Sequence, residues 1–258
     1  GVGKEVRVWS YGSTACAASP FTVGTLDSEV TAVALDPSAS LVASADDSKT
    51  LTLWDVHAQR RLWSRVAAKR ISTIIFDGSA VVYADKFGEV FRVDGPAPAT
   101  TAAAPAAEEA VDPALVLGHV SLITAMARSR EGDLLATADE DHRIRVSSWP
   151  HAYDIQSFCL GHTAPARTLL LEPRPAPVGG ARARLLFSAA DDGTVRVWRA
   201  DTGELIDTRS PAADFAEAVA AARAAPPHAG AAAKVRSLAH VGAHGVLVVA
   251  IADVPRLF

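Results

Sequence analysis

Sulfur is scarce in this chain, and so is any excess of positive charge. Two cysteines, Cys16 and Cys159, in 258 residues are too few for a disulfide framework and lack the spacing of metal ligands, as fits a reducing compartment. With 25 Lys and Arg against 29 Asp and Glu, the net charge is −4. That balance argues against a protein that wraps nucleic acid over its whole surface, though it leaves room for a local basic patch. The longest uninterrupted apolar run, residues 246–252, falls far short of a bilayer. Sustained helical periodicity is missing outside one alanine-rich stretch, and no glycine-rich loop follows a strand and opens a helix, so nucleotide fingerprints are absent. What remains is a chain that is 49% hydrophobic, with ample material for a core.

The most informative stretch is residues 118–163. It opens with Gly118-His119 and comes round again to Gly161-His162, with four short alternating apolar runs between the pairs. Four strands per period, each period announced by Gly-His, is the pattern of a WD-repeat β-propeller blade. The expected fold is therefore all-β, a WD-repeat β-propeller forming a single domain over residues 1–258.

The same pattern divides the rest of the chain. A first blade shows a third strand at 6–10 and a fourth within 14–23. The second has strands at 30–35, 41–46, 50–56 and 61–66. The third has 71–76, 80–85 and 89–94, with its fourth strand delayed to 115–117. The fourth blade covers 122–160, the fifth runs from 161 to about 208, and 235–258 supplies part of a sixth. About four full blades plus two partial ones are expected, a truncated part of a seven-bladed ring whose N-terminal residues already lie inside a strand. Three low-complexity insertions, 95–113, 172–184 and 211–233, read as loops. The first two are expected to be mobile, and the third could hold a short helix.

Two polar sets recur at blade positions. His162, Ser188, Asp192 and Trp198 are spaced to form a buried network in the fifth blade. His119, Thr137 and Asp141 repeat it in the fourth, where Ser147 replaces the tryptophan. A hydrolase reading of Ser, His and Asp is set aside because the set recurs once per blade and no nucleophile elbow accompanies it. Cys159-x-x-His162 is a single pair and a weak metal signal. No methyl-donor site is visible, so the chain reads as non-catalytic, with no cofactor or metal of its own.

The basic residues are more distinctive. Loops leading into a blade and the turns between its second and third strands share one face of a propeller. Lys69 and Arg70 begin the third blade there, Lys86 sits in its turn, and Arg143 sits in the corresponding turn of the fourth. Arg145, two residues on, projects to the same side as Arg143. Spacing thus gathers five cations on one rim, readable either as solvated charge or as a docking site.

Several motifs together resemble one family. They are Asp46-Asp47-Ser48-Lys49, Ala84-Asp85-Lys86-Phe87-Gly88, Leu117-Gly118-His119-Val120-Ser121, Thr137-Ala138-Asp139 running on to Ile144-Arg145-Val146-Ser147, and Ser157-Phe158-Cys159-Leu160-Gly161-His162-Thr163. In this order they resemble the WD-repeat non-catalytic subunit of the eukaryotic tRNA (guanine-N7)-methyltransferase. Asp191 to Trp198 is generic to WD repeats, whereas serine at position 147 is more telling. The resemblance implies a heterodimer with a separate Rossmann-like catalytic subunit. That partner holds S-adenosylmethionine and makes 7-methylguanosine in the variable loop of tRNA. It also implies a nuclear location, and docking through Lys86, Arg143, Arg145 and, less directly, Arg70, with Lys69 beside it.

The principal rival is a general WD-repeat adaptor, such as a ubiquitin-ligase substrate receptor. It would bind through the channel face and would not depend on Arg143 or Arg145. A propeller enzyme is the other rival, but it needs clustered catalytic groups that the sequence does not supply.

Overall fold

The computed structural model describes residues 3–8, 21–95, 113–173, 184–210, 235–241 and 246–251. Every element within them is a β-strand, and successive strands pair antiparallel as simple meanders. β1 (Glu5–Val8) pairs with β2 (Phe21–Thr25); the fourth strand of the first blade was expected within 14–23, and residues 14–20 lie outside the described residues. The second blade is β3 (Val30–Leu35), β4 (Leu41–Asp46), β5 (Thr50–Asp55) and β6 (Arg60–Val66). The third is β7 (Ile71–Asp77), β8 (Ala80–Asp85), β9 (Glu89–Val93) and β10 (Ala114–Gly118). The fourth is β11 (Ile123–Arg128), β12 (Leu134–Asp139), β13 (Ile144–Ser148) and β14 (Ile155–Cys159). The fifth is β15 (Ala166–Pro173), β16 (Arg184–Ala190), β17 (Val195–Arg199) and β18 (Glu204–Arg209), and β19 (Val235–Val241) pairs with β20 (Val246–Ile251).

Contacts along the chain resolve two compact units, Gly1–Leu122 and Ile123–Phe258. In the first unit, Ala43, Ala45, Leu51 and Leu53 of the second blade pack against Ile71, Ile74, Phe76, Val81 and Tyr83 of the third. Tyr83 stacks on Phe91 at 5.4 Å between centroids, and burial pushes its phenol up to about 12. In the second unit, Ala136, Ala138, Ile144 and Val146 of the fourth blade join Leu169, Leu171, Leu186 and Trp198 of the fifth. The second strands, β4, β8, β12 and β16, each carry fully buried alanine. Ala43, Ala45, Ala84, Ala136, Ala138 and Ala189 are all fully buried. A strand covered on both faces needs small side chains if neighbouring sheets are to close without voids.

One local rule recurs in all four complete blades. Where the first strand meets the second, the register skips one residue: Thr31, Ser72, Thr124 and Arg167 have no opposite partner. Such a bulge turns the skipped side chain out of the alternation. Thr31 Oγ1 then donates to the Ile71 carbonyl of the following blade at 3.5 Å, and Thr124 Oγ1 donates to the Ala166 carbonyl at 2.6 Å.

The insertion expected at 172–184 is shorter than composition suggested. Pairing continues to Pro173 opposite Arg184, so Glu172, Pro173 and Arg184 belong to strands. The bulk of the insertions at 95–113 and 211–233, and the helix considered in the latter, lie outside the described residues.

Candidate functional site

The turns between second and third strands present the candidate cations, and all four turns follow one design. Each places a positive-φ residue three positions beyond the end of the second strand: Lys49 at 71°, Gly88 at 86°, His142 at 66° and Gly193 at 78°. The amide of that residue donates to the carbonyl three residues back, at 3.1–3.2 Å in every case. This is a type I turn followed by a left-handed residue, a common way to close a twisted hairpin.

A buried carboxylate holds three of the turns. Asp46 Oδ1 accepts from the Thr50 amide at 2.8 Å, Asp85 Oδ1 from Phe87 and Glu89 at 2.8 and 3.0 Å, and Asp139 Oδ1 from Arg143 at 3.0 Å. Sequence reasoning placed Asp141 in a network with His119 and Thr137, as the counterpart of Asp192; the residue that holds the turn of the fourth blade is Asp139. Asp141 is half-exposed and 3.9 Å from Arg143 Nη2, whereas Asp139 is 2% exposed. The physical reason is the last residue of the second strand: an aspartate at 139 can reach back to the amide four residues on, while Ala190 of the fifth blade cannot. The usable signal was an aspartate as the last residue of the second strand, as at Asp46, Asp85 and Asp139.

In the fifth blade Asp192 takes over. Its Oδ1 accepts from the Thr194 amide and hydroxyl at 2.9 and 2.7 Å, and its Oδ2 from the Thr163 amide at 3.1 Å. His162 Nδ1 lies 2.9 Å from the same oxygen, and His162 Nε2 lies 2.7 Å from Ser188 Oγ, which in turn accepts from Trp198 Nε1 at 2.8 Å. One proton assignment satisfies the whole chain: indole to serine, serine to Nε2, and Nδ1–H to the carboxylate. It requires a neutral imidazole, in keeping with burial holding the His162 pKa below its ordinary value against the pull of Asp192. Burial alone would raise Asp192, but the hydrogen bonds from Thr194, His162 and the Thr163 amide outweigh it and bring it to about 2. Ser188 is sealed from solvent and spends its hydroxyl inside this chain, so it is a structural tie. Both ring nitrogens of His162 are committed, and burial pushes the Cys159 thiol up to about 12, which makes this pair a poor metal site.

In the fourth blade, Thr137 is fully buried and its Oγ1 donates to the Arg145 carbonyl at 3.4 Å. His119 is half-buried, and its amide donates to the Gly88 carbonyl at 2.8 Å.

The five expected docking cations divide between the two units. In the first, Arg70 pairs with Asp47 at 2.8 Å, and both side chains are more than half exposed. Lys69 and Lys86 are exposed, with their ammonium groups 4.9 and 5.3 Å from the Phe87 ring centroid. In the second, Arg143 is 54% exposed. Arg145 is half-buried, opposite Thr137 on one side and Phe158 on the other. Burial lowers its pKa and Asp139 raises it, with burial the larger effect. A guanidinium in that position stays charged, is partly stripped of water, and is held on a rigid strand. Beside these, Arg167 spans two turns of the second unit, with Nε 2.7 Å from Asp191 and Nη1 3.2 Å from Glu140. It takes up acids that would otherwise oppose the arginines, and sequence spacing had not singled it out.

Comparison with known proteins fits this geometry. The model of the tRNA methyltransferase TRM82 WD40 domain matches residues 98–258, and a WD domain, G-beta repeat matches residues 20–55. Among curated proteins, the tRNA (guanine-N(7)-)-methyltransferase non-catalytic subunit wdr4 of Xenopus laevis is 34% identical over 72% of this chain and 44% of its own length. The subunit of the same name from Dictyostelium discoideum is 34% identical over 66% of this chain and 37% of its own. The human subunit, WDR4, is 32% identical over 67% of this chain and 41% of its own. The chain thus spans less than half the length of these relatives. A chain from the "Crystal Structure of Mitotic Checkpoint Complex" superposes with a TM-score of 0.65 at 15% identity, covering 93% of this chain and 64% of that one, which speaks to the fold alone. With the matched model spanning more than half of its residues, this chain belongs to the family of the tRNA methyltransferase TRM82 WD40 domain.

Proposed function

We propose that this chain is a non-catalytic scaffold subunit of a tRNA (guanine-N7)-methyltransferase. In this reading a separate catalytic subunit binds S-adenosylmethionine and methylates N7 of a guanosine in the variable loop of tRNA. The chain here contributes rigid turns that hold that subunit in its active arrangement as a heterodimer, and a nuclear location follows from the family resemblance. One observation carries the reading above the others: the matched family segment, 98–258, contains Arg143 and Arg145 on the turn and strand described above.

The contact is made by charge-assisted pairing of these arginines with carboxylates of the catalytic subunit. Arg145 is already partly desolvated, so less hydration remains to be removed when the complex forms. Removing one side of such a pair at an interface costs about 2–5 kcal/mol.

The test is co-expression with the cognate catalytic subunit, followed by a guanine-N7 methylation assay on tRNA with and without this chain. Stimulation is expected, with Arg145→Ala abolishing both stimulation and stable association while leaving the thermal melt of the chain nearly unchanged. A general adaptor would give no stimulation and would be indifferent to Arg143 and Arg145, and that pattern would overturn the reading.

A further inference from the structure

The outermost strands of the four complete blades differ in charge. β10 and β14 carry none, and β18 carries Glu204 and Asp207, with Arg209 tied to Asp207 at 2.9 Å. β6, which reads Arg-Arg-Leu-Trp-Ser-Arg-Val, has three arginines and no acid. Arg60 and Arg61 are exposed, and among the described residues neither belongs to an ion pair or a side-chain hydrogen bond. Asp55, opposite Arg60, turns instead to the Ala58 amide at 2.8 Å.

A bulge decides which of these arginines share a face. Pairing with β5 sets Arg65 opposite Leu51 and Trp63 opposite Leu53, then skips Leu62, so that Arg61 lies opposite Trp54 and Arg60 opposite Asp55. Alternation along β5 puts Leu51, Leu53 and Asp55 on one face and Trp54 on the other. Arg60, Trp63 and Arg65 therefore form a row on the face that Leu51 and Leu53 turn toward the third blade, and Arg61 lies on the opposite face. The row is ordered before anything binds: the Arg65 guanidinium lies 5.0 Å from the Trp63 ring centroid, and Trp63 packs against the cluster shared by the second and third blades. β6 also ends its sheet, so the backbone groups along its outer edge have no strand partner among the described residues.

We infer that the outer edge of β6 accepts an added strand from an acidic partner polypeptide, with one carboxylate on Arg60, a second on Arg65, and an apolar side chain against Trp63 between them. An extended strand repeats its side chains on one face about every 6.8 Å. The row has the same period, so acid, apolar residue and acid at alternate positions come into register with it. Main-chain pairing supplies affinity and the row supplies selection. A second copy of this chain fits poorly, because two β6 edges would set arginine against arginine. RNA also fits less well: a track of cations and a free aromatic face are needed for it, whereas Arg65 already covers the indole. The inference is independent of the scaffold reading, since β6 lies outside the matched family segment, 98–258.

The experiment titrates the full chain into a short fluorescent peptide and follows anisotropy at physiological salt, with a short RNA duplex measured in parallel. The peptide is threonine-rich and carries a leucine with a glutamate two positions to either side. Arg60→Glu is expected to weaken peptide binding about 10-fold. Arg61→Glu, which changes the net charge equally from the opposite face, weakens it less than about 2-fold. A proline beside the leucine removes a main-chain donor and abolishes binding. Thermal melts show that both variants are folded. Equal losses in the two variants would reduce the contact to general charge attraction and overturn the added strand, as would undiminished binding of the proline peptide. No peptide binding by the wild-type chain would remove the inference outright, and RNA binding in its place would reassign the edge to phosphate.

Discussion

Trp198 donates its indole N–H to Ser188 Oγ at 2.8 Å, and in the second blade Trp54 makes the same bond to Ser44 at the same distance. The two serines nonetheless carry different loads. Ser44 satisfies one buried donor, while Ser188 also engages His162 Nε2. Ser188→Ala is expected to cost about 3 kcal/mol and Ser44→Ala about 1–2 kcal/mol, because an orphaned buried polar group costs roughly 1–3 kcal/mol. Urea unfolding of the two variants reads the difference directly, and equal losses would mean that the histidine bond contributes nothing.

Ser147 sits where the second and fifth blades have tryptophan. It is fully buried, and its Oγ has no hydrogen-bond partner. Ser147→Ala removes an unpaired hydroxyl at almost no loss of volume, so stability should stay level or rise by up to about 1 kcal/mol. A drop of 1 kcal/mol or more in the urea midpoint analysis would show that the hydroxyl is satisfied after all.

Acid should destabilise the second unit in two stages. His162 has its pKa lowered from 6.5 by burial, so below that value the unfolded chain binds a proton that the folded chain refuses. Asp192 is lowered from 3.8 to about 2, so its contribution, about 2 kcal/mol, is present above pH 4 and lost as pH falls through its folded value. Both groups act in the same direction. Melting temperature should decline below about pH 6.5 and again below about pH 4, and His162→Gln should flatten the first decline most, because Thr194 and the Thr163 amide still hold Asp192.

Gly88 ties the turn carrying Phe87 to the segment that leads into the fourth blade. Gly88→Ala would force a side chain into positive φ and against the Ser121 carbonyl. A loss of about 2 kcal/mol or more is expected. The His119 amide, which donates to Gly88, should lose hydrogen-exchange protection first. Unchanged protection there would show that the turn can move without consequence.

Much of the fold was legible because strands alternate with period two and are punctuated by turns; β4, β8 and β3 fall where alternation places them. The candidate site was legible in part. Spacing marked Lys69, Lys86, Arg143 and Arg145, but it could not weigh Asp139 against Asp141, since that choice depends on which residue ends a strand. Phe87 entered only as part of a family motif, because its cation partner Lys69 approaches only once two strands have paired. Arg167 escaped for a related reason: a bulge, invisible to alternation, turns it toward Glu140 and Asp191.

That skipped position has an engineering corollary. Thr31 and Thr124 each reach the next sheet from the residue skipped between their own first and second strands, and Arg167 reaches back to the previous one from the same place. Each of these junctions thereby gains a polar tie beside its apolar packing. Exchanging residues at this single position should allow one junction to be tightened or loosened, like a dowel between boards, while the strands on either side keep their own sequence.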